Sequence, residues 1–433
     1  MASALKAAAL SSLFLLLPYS EWIENKFEEG SVPLGVMNLI LIWAALLWVW
    51  GKVRSSRRPN PFKPFTIFLV VTLIWTAVAL ASDFGLPQGE VLTLAKREVS
   101  LLFLYFVPLA FAEEEAEFAW IFAAILVINT VIGFHTLSTG VLGGSNFNDS
   151  KRGYGPFGTN YWGSDVAGAY LGQVLMLFLG VILTDGFPMI LRGVSAAGAG
   201  IVFLGLLATY SRGSLVAALA GAMLMIVVRR FNPKALILAA VLAVGASFVV
   251  PQSVMTRIDE TTDSKGELDE SSRIRFLYSD AAWAIFRDHP LGVGTGQVRA
   301  AMSQYVPNLA ADDLHGWGAY VDPHNGFLYT LVSWGVIGFL AFLGMLGSVF
   351  RGGMRLAHDE GAPLSYRAYG LGVTGLVGSL AICNLFYANF FKDLISGSLC
   401  LLFGLTAFAV AQRRAAEEVE SQPEAEPEAE PAA

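Results

Sequence analysis

Three polar stretches of the sequence carry side chains suited to binding phosphate. One is the long stretch that contains "SSRIRFLYSDAAWAIFRDHP" and ends at "DPHN", and the other two are "NFNDSKRGYGPFGTNYWGSD" and "TYSRGSLVAAL". Their candidate residues are His324, Asn325, Arg152, Arg212, Arg273 and Arg275. Arginine contacts phosphate oxygens through two parallel N–H groups. If the three stretches meet on one face of the protein, we expect a cationic pocket for phosphate or diphosphate.

The elements that must position these residues are membrane-spanning helices. Of the 433 residues, 55% are hydrophobic and 15% are charged, whereas about 25% are charged in a usual soluble domain. The apolar residues form runs of about 17–25 residues, the length of a spanning helix. Because backbone groups in lipid must be satisfied within their own segment, we expect these runs to be helices. The sequence predicts an all-α polytopic membrane protein with about twelve transmembrane helices.

The predicted spans cover most of the chain. They are 4–17, 33–51, 65–82, 99–112, 118–137, 165–184, 189–210, 213–228, 235–250, 325–350, 368–388 and 394–411. The first is short and could be read as a signal peptide. We expect a retained helix, because Pro18-Tyr19-Ser20-Glu21 is a poor cleavage site.

Basic residues in the short connections indicate the orientation. Clusters after the second, eighth, tenth and twelfth spans fall on one side, which the positive-inside rule makes cytoplasmic. Both termini are then cytoplasmic, and residues 251–323 form a long periplasmic loop. We expect this loop to begin disordered and then to form an amphipathic helix with Leu277 and Tyr278 on its apolar face. The helix should end at His289-Pro290, before a glycine-rich turn.

The sequence divides into two regions. Residues 1–411 form the predicted transmembrane domain, and residues 412–433 form an acidic tail that we expect to be disordered and cytoplasmic. The net charge of −7 comes largely from this tail. No pattern favours nucleic-acid binding, and no spacing of residues predicts a metal site.

The stretch that begins at His324 resembles the signature of the O-antigen ligase and polymerase superfamily. That signature is His-Asn, nine residues, Gly, two residues, Gly, and here the glycines are Gly335 and Gly338. Three earlier stretches, "KRGYGPFGTNYWGSDVAGAYL", "YSRGSLVAAL" and "RDHPLGVGTGQ", resemble the family's other recurring segments in the same order. The resemblance covers residues 148–342. We expect the two glycines to share one helix and to admit a neighbouring helix.

The resemblance implies a metal-independent, GT-C-like glycosyltransferase without a cofactor. Such an enzyme transfers a glycan from undecaprenyl diphosphate to an acceptor hydroxyl of lipid A core, a glycan or a protein, with inversion. His324 would act on the hydroxyl, and Arg212 with Arg275 or Arg273 would hold the diphosphate. The implied substrate-binding residues are Arg273, Arg152, Asn160, Asn325, Gln297 and Tyr278. The enzyme would lie among the lipids of the bacterial inner membrane, with its active face periplasmic.

Other interpretations of the same residues stay open. His324 could be an interfacial anchor, Arg212 a helix cap, and Arg152 a contact to lipid phosphate. Arg273 and Arg275 point to nearly opposite helix faces, so we expect at most one of them to face the pocket. The superfamily also contains polymerases that join repeat units. A solute transporter is the third alternative, although the sequence shows no convincing internal repeat.

Overall fold

A computed structural model describes residues 2–26, 35–54, 59–81, 87–140, 152–158, 161–229, 270–306 and 322–421, and these residues form helices and their connections. The helices are α1 (Ala2–Lys26), α2 (Val36–Arg54), α3 (Lys63–Ala81), α4 (Gln88–Phe103), α5 (Phe106–Phe111), α6 (Glu115–Thr139), α7 (Tyr161–Leu183), α8 (Met189–Ala208), α9 (Arg212–Val228), α10 (Glu270–Asp288), α11 (Val298–Tyr305), α12 (Gly326–His358), α13 (Leu364–Phe386) and α14 (Asp393–Glu420). A 3₁₀ turn, Asn389–Phe391, precedes α14.

Most of these helices are apolar runs of spanning length. Within the described ranges, nine are long and apolar enough to cross a membrane, namely α1, α2, α3, α6, α7, α8, α12, α13 and α14, and α9 is a shorter apolar helix. The prediction of an all-helical polytopic membrane protein is therefore confirmed. The predicted ninth span, 235–250, lies outside the described residues. The number of twelve spans stays a prediction.

The predicted fourth span, 99–112, is a broken helix. α4 and α5 are separated by Leu104 and Tyr105, whose N–H groups bond to carbonyl groups three residues back instead of four. Pro108 accounts for the break, because in a continuous helix its ring would clash with the carbonyl group of Leu104.

Helices α7, α13 and α14 form the centre of the bundle. α7 and α14 are buried along almost their whole apolar length, and α13 packs against α7, α9 and α12. Small residues permit this packing: a Cβ on Gly221 of α9 would lie 2.6 Å from the carbonyl oxygen of Gly375 of α13. In a membrane, such close contact is a main source of helix association.

Ion pairs mark one end of the bundle. Arg413 of α14 pairs with Asp359, which directly follows α12, and Arg229 after α9 pairs with Asp185 after α7. These arginines belong to the basic clusters that predict the cytoplasmic side. His324 directly precedes α12, so it lies at the opposite end of the molecule.

The prediction of a disordered tail is wrong for residues 412–420, because α14 continues to Glu420. Tertiary ion pairs hold this extension: Arg413 pairs with Asp359, and Glu417 pairs with Arg355 of α12. The extension is also rich in alanine, arginine and glutamate, which favour helix. Residues 422–433 lie outside the described residues.

The described part of the long loop folds around His324. α10 is the predicted amphipathic helix and ends at Asp288, directly before His289-Pro290. Its buried face, which includes Tyr278, packs on the first turns of α12 together with α11, a helix that the apolar pattern does not predict. The expectation that Leu277 lies on this face is wrong, since its side chain is 43% exposed. One residue is a step of about 100° around a helix, which places Leu277 on the flank. The start of the loop, where disorder is predicted, lies outside the described residues.

Helix α12 is broken at Gly335, whose φ of 61° and ψ of −161° are non-helical. The glycine-rich turn after α10 fills the break. The N–H groups of Val293 and Gly294 donate, at 2.8 and 2.9 Å, to carbonyl groups of α12 that precede the break. A Cβ on Gly335 would overlap the backbone of Pro290-Leu291. The external loop is therefore fixed to α12 by backbone contacts.

Gly335 and Gly338 do not share one regular helix, so that part of the expectation is wrong. Helix α3 does approach Gly338, because a Cβ there would lie 3.6 Å from the side chain of Val71. A loop backbone approaches Gly335, and the side chain of Trp334, from the same helix, covers Gly338. The break divides α12 into an outer part, residues 326–334, and a longer inner part. The outer part has His324 at its head.

Candidate active site

His324 has a left-handed backbone conformation directly before α12. Its φ is 47°, and in the described residues Tyr210 is the other non-glycine residue with positive φ. Such a conformation costs about 1–3 kcal/mol and is concentrated at active sites. The next residue, Asn325, is the N-cap of α12, and its Oδ1 accepts hydrogen bonds from the backbone N–H groups of Phe327 and Leu328 at 2.9 and 3.0 Å. This cap fixes the first turn of α12 and the direction in which His324 projects.

A buried carboxylate, Asp322, contacts both His324 and Lys392. Its Oδ1 accepts a hydrogen bond from the backbone N–H of His324 at 2.8 Å and lies 3.6 Å from His324 Nδ1. Its Oδ2 accepts a hydrogen bond from Lys392 Nζ at 2.9 Å. Because Lys392 is the N-cap of α14, this ion pair joins the start of α12 to the start of α14.

Two tyrosine rings lie nearly parallel to the imidazole ring of His324. The ring centroid of Tyr278, on α10, is 5.7 Å away, and that of Tyr387, the C-cap of α13, is 6.0 Å away. Lys392 Nζ lies 4.8 Å from the centre of the Tyr387 ring, close enough for a cation–π interaction. The imidazole is thus oriented by residues from three other helices or their ends.

The surroundings of His324 keep its imidazole neutral. Burial lowers the pKa of His324, Asp322 opposes this effect, and the positive charges of Arg275 and Lys392 add to it. Burial would raise the pKa of Asp322, but Lys392 and His324 outweigh it and hold that pKa well below its usual range. Burial would lower the pKa of Lys392, but Asp322 outweighs it and raises that pKa. A charged Asp322–Lys392 pair therefore lies beside a neutral imidazole, the form that accepts protons.

Arg275 and Arg273 are the two arginines of α10 that the sequence predicts at the site. Arg275 is exposed, and its charge acts on the pKa of His324. Arg275 lies about one helical turn before Tyr278, whose ring stacks on His324. The side chain of Arg273 lies outside the described residues.

Arg212 is the first residue of α9 and is partly buried. The turn that precedes it contains Tyr210, with a φ of 55°. The next residue, Gly213, lies against the side chain of Phe386, the last residue of α13. Since Tyr387 follows directly and stacks with His324, the turn that carries Arg212 adjoins the His324 site.

Arg152 is buried beside the same turn, with 5% of its surface exposed. Its Nε donates a hydrogen bond to the carbonyl oxygen of Thr209 at 2.6 Å. One terminal nitrogen donates to Asp165 Oδ1, also at 2.6 Å. The structure thus gives this predicted substrate-binding residue two protein partners.

Three predicted substrate-binding residues remain, namely Gln297, Asn325 and Asn160. Gln297 is 1% exposed, and its Nε2 donates to the carbonyl oxygen of Ala79 in α3 at 3.1 Å, which does not favour the predicted substrate contact. Asn325 caps α12 and also donates through Nδ2 to the carbonyl oxygen of Leu385 at 3.3 Å. Asn160 lies outside the described residues. The structure brings His324, Arg275 and Tyr278 together.

Several of the residues that surround His324 lie in a segment that matches one known family. Residues 197–343 match the family model described as O-antigen ligase. This segment, about a third of the chain, is similar to the O-antigen ligase family. The predicted resemblance to the O-antigen ligase and polymerase superfamily is confirmed by this match, which includes Arg212, Arg275 and His324. None of the curated proteins compared with the chain matches it.

Four charged or aromatic residues that the sequence does not predict as site residues also belong to the surroundings of His324. They are Asp322, Lys392, Tyr387 and Asp165. Lys392 and Asp165 stand at the ends of predicted spans in a chain with few charges. A charge next to a spanning segment is costly unless it is paired or functional. That cost is the sequence signal by which these two residues could have been found.

Proposed function

We propose that the chain is a glycosyltransferase that moves a glycan from undecaprenyl diphosphate to an acceptor hydroxyl, as an O-antigen ligase does. The observation that carries the proposal is the neutral His324, held beside Asp322 at the mouth of α12, within the segment that matches the O-antigen ligase family. The acceptor would be a hydroxyl of lipid A core, of another glycan or of a protein.

The reaction would be a single displacement at the anomeric carbon. The acceptor oxygen forms a bond to that carbon while the bond between the carbon and the diphosphate oxygen breaks. The acceptor's proton passes to His324 Nε2, the ring nitrogen away from Asp322, and the electron pair leaves with undecaprenyl diphosphate. One displacement inverts the configuration at the anomeric carbon. General base catalysis of this kind contributes about 10²–10⁴-fold to a rate.

The leaving diphosphate gains negative charge as the bond breaks. Arg212 and Arg275 are the cationic side chains that would stabilise it, because fixed donors in a low-dielectric site act most strongly where charge develops. Arg273 and Asn160 stay candidates for further contacts to the glycan or the diphosphate. The transfer needs no metal in this proposal. Loss of transfer with a chelator and its return with Mg²⁺ or Mn²⁺ would contradict that part.

The proposed location is the bacterial inner membrane, with the site periplasmic and both termini cytoplasmic. Two of the basic side chains in the predicted cytoplasmic clusters, Arg229 and Arg413, form ion pairs at the end opposite His324, as the positive-inside rule requires for this orientation. The concentration of polar candidates at one end also favours chemistry at the membrane surface over transport, which would place polar residues near the middle of the membrane.

A deletion strain distinguishes a ligase from a polymerase. Loss of a ligase leaves long glycan chains on the lipid carrier, whereas loss of a polymerase leaves single repeats on the acceptor. Gel separation of the acceptor fraction and of the carrier fraction measures both outcomes. Long chains on the acceptor at wild-type amounts would contradict either activity.

A further inference from the structure

A buried ion pair, Arg152–Asp165, lies beside the turn that carries Arg212. Arg152 has 4% and Asp165 has 23% of the side-chain surface exposed, and a buried charge is costly unless it is paired. Arg152 uses two different nitrogens, one for Asp165 and one for the carbonyl oxygen of Thr209. The guanidinium therefore ties the start of α7 to the turn between α8 and α9.

The turn held by Arg152 is the one that leads into Arg212. Thr209 is the C-cap of α8, and Gly153, next to Arg152, donates its backbone N–H to the carbonyl oxygen of Ala208 at 2.8 Å. Two consecutive carbonyl groups at the end of α8 are thus bound by residues 152–153. Only residues 209–211 connect α8 to α9, so this anchor constrains where the first turn of α9 begins.

The negative charge of Asp165, the other member of the pair, acts on His324. The turn between α8 and α9 connects Asp165 to the surroundings of His324: Arg152 bonds to both Asp165 and Thr209, Gly213 lies against Phe386, and the next residue, Tyr387, stacks on His324. The charged and titratable groups that contact His324 or act electrostatically on it are Asp322, Arg275, Tyr278, Tyr387, Lys392 and Asp165. Of these, Asp165 is the one contributed by α7. Its negative charge raises the pKa of His324, in the same direction as Asp322.

We propose that Arg152 and Asp165 are a pair of positioning residues, in which Arg152 orients the turn that presents Arg212 and Asp165 adjusts the charge around His324. This role replaces the predicted contact between Arg152 and substrate. It rests on the proposed function, in which Arg212 holds the diphosphate and His324 takes the proton.

Two conservative variants separate the two roles. Arg152→Lys keeps the positive charge but loses the planar donor geometry that serves two acceptors at once, so the KM for the lipid-linked donor should rise roughly tenfold. The acidic limb of the pH–rate profile, where the rate falls as His324 becomes protonated, should stay at the same pH. Asp165→Asn can still accept from Arg152 but removes the negative charge, so the acidic limb should move to lower pH with little change in KM. Unchanged KM in the first variant, or an unmoved limb in the second, would overturn the proposal.

Titration of His324 itself tests the electrostatic role of Asp165 without a measurement of activity. The five histidines of the full-length protein can be labelled with ¹³C, and His324→Ala assigns the His324 signal in NMR spectra. The pKa of His324 should fall in Asp165→Asn and stay unchanged in Arg152→Lys. The pair Asp185–Arg229 at the opposite end is the control, and Asp185→Asn should leave the pKa of His324 unchanged.

The outcomes distinguish failure of the pair from failure of the proposed function. If the pKa of His324 moves as expected but the wild-type protein transfers no glycan, the proposed function is wrong and the electrostatic role of Asp165 stands. If transfer occurs but the pKa is the same in every variant, the electrostatic role is wrong. Asp165→Asn is isosteric and keeps an acceptor for Arg152, but it leaves the buried charge of Arg152 without its ion-pair partner. Thermal unfolding of each variant in detergent therefore accompanies the titration, and an unmoved pKa in a variant that folds like the wild type overturns the electrostatic role.

Discussion

Asp322 Oδ1 contacts His324 at two points, since it accepts the backbone N–H at 2.8 Å and lies 3.6 Å from Nδ1 of the imidazole. An aspartate side chain that accepts from the backbone two residues later forms a turn of its own and favours an unusual backbone conformation there. The same oxygen thus supports the left-handed φ of His324 and presents negative charge to its ring.

Replacement of this carboxylate by an amide tests its effect on His324. Asp322→Asn keeps the shape but removes the charge that opposes the lowered pKa of His324. We expect transfer to fall at least about tenfold, as for loss of a hydrogen bond to a charged group, and the acidic limb to move to lower pH. Asp359→Asn, which alters a similar pair with Arg413 at the opposite end, is the control. Equal rates in the two variants would remove Asp322 from the site.

The pH dependence of transfer follows from the lowered pKa of His324. The neutral imidazole is the active form, so the rate rises with pH through that pKa and then stays level. Because burial places the pKa below the ordinary value of 6.5, the single-turnover rate should already exceed half of its plateau at pH 6.5. Rates measured between pH 5 and 8, about the range in which histidine titrates, check this. A midpoint above 6.5 would be evidence against a buried neutral base.

Arg212 is expected to act through its two-pronged geometry as well as its charge. Arg212→Ala should lower the single-turnover rate by about 10²–10³-fold, as for loss of one donor to a developing negative charge. Arg212→Lys should recover little, because an ammonium lacks the planar pair of donors. Arg229→Lys, at the other end of α9, is the control and should transfer normally. Wild-type rates in Arg212→Ala would reduce Arg212 to a helix cap.

The break in α12 gives a prediction about folding. Gly335→Ala would place a Cβ against the backbone of Pro290-Leu291 at a φ and ψ that side chains avoid. We expect it to lower the free energy of unfolding by more than about 2 kcal/mol. Gly347→Ala in the same helix, where a Cβ meets nothing within 4 Å, should be neutral or stabilising. Thermal unfolding in detergent compares the two, and equal midpoints would mean that the loop does not depend on the break.

The sequence predicts the elements of this fold better than their breaks. Long apolar runs dictate helices in lipid, so the spans around His324 and Arg212 begin where the polar motifs end. The break at Tyr105 follows from Pro108, a helix breaker that the sequence shows and that the apolar run alone overlooks. The break at Gly335 escapes prediction, because a distant backbone segment fills the gap. Residues 412–420 escape it too, since their helix is held by partners on other helices.

The sequence likewise predicts some residues of the candidate site and misses others. A histidine at a helix mouth and arginines in external segments are visible as motifs, and the structure brings His324, Arg275 and Tyr278 together. The partners of these residues come from elsewhere in the chain. Lys392 reaches Asp322 across 70 residues, and no local pattern encodes that contact. The cap formed by Asn325 and the burial of Arg152 are likewise properties of packing.

The most direct test of the account is single-turnover transfer by purified His324→Ala, with binding of the lipid-linked donor measured in parallel. His358→Ala, at the other end of α12, is the matched control. If His324 is the general base, the rate should fall by about 10²–10⁴-fold while donor binding stays close to that of the wild type. Near-normal turnover in His324→Ala would contradict the account and leave His324 as an interfacial anchor.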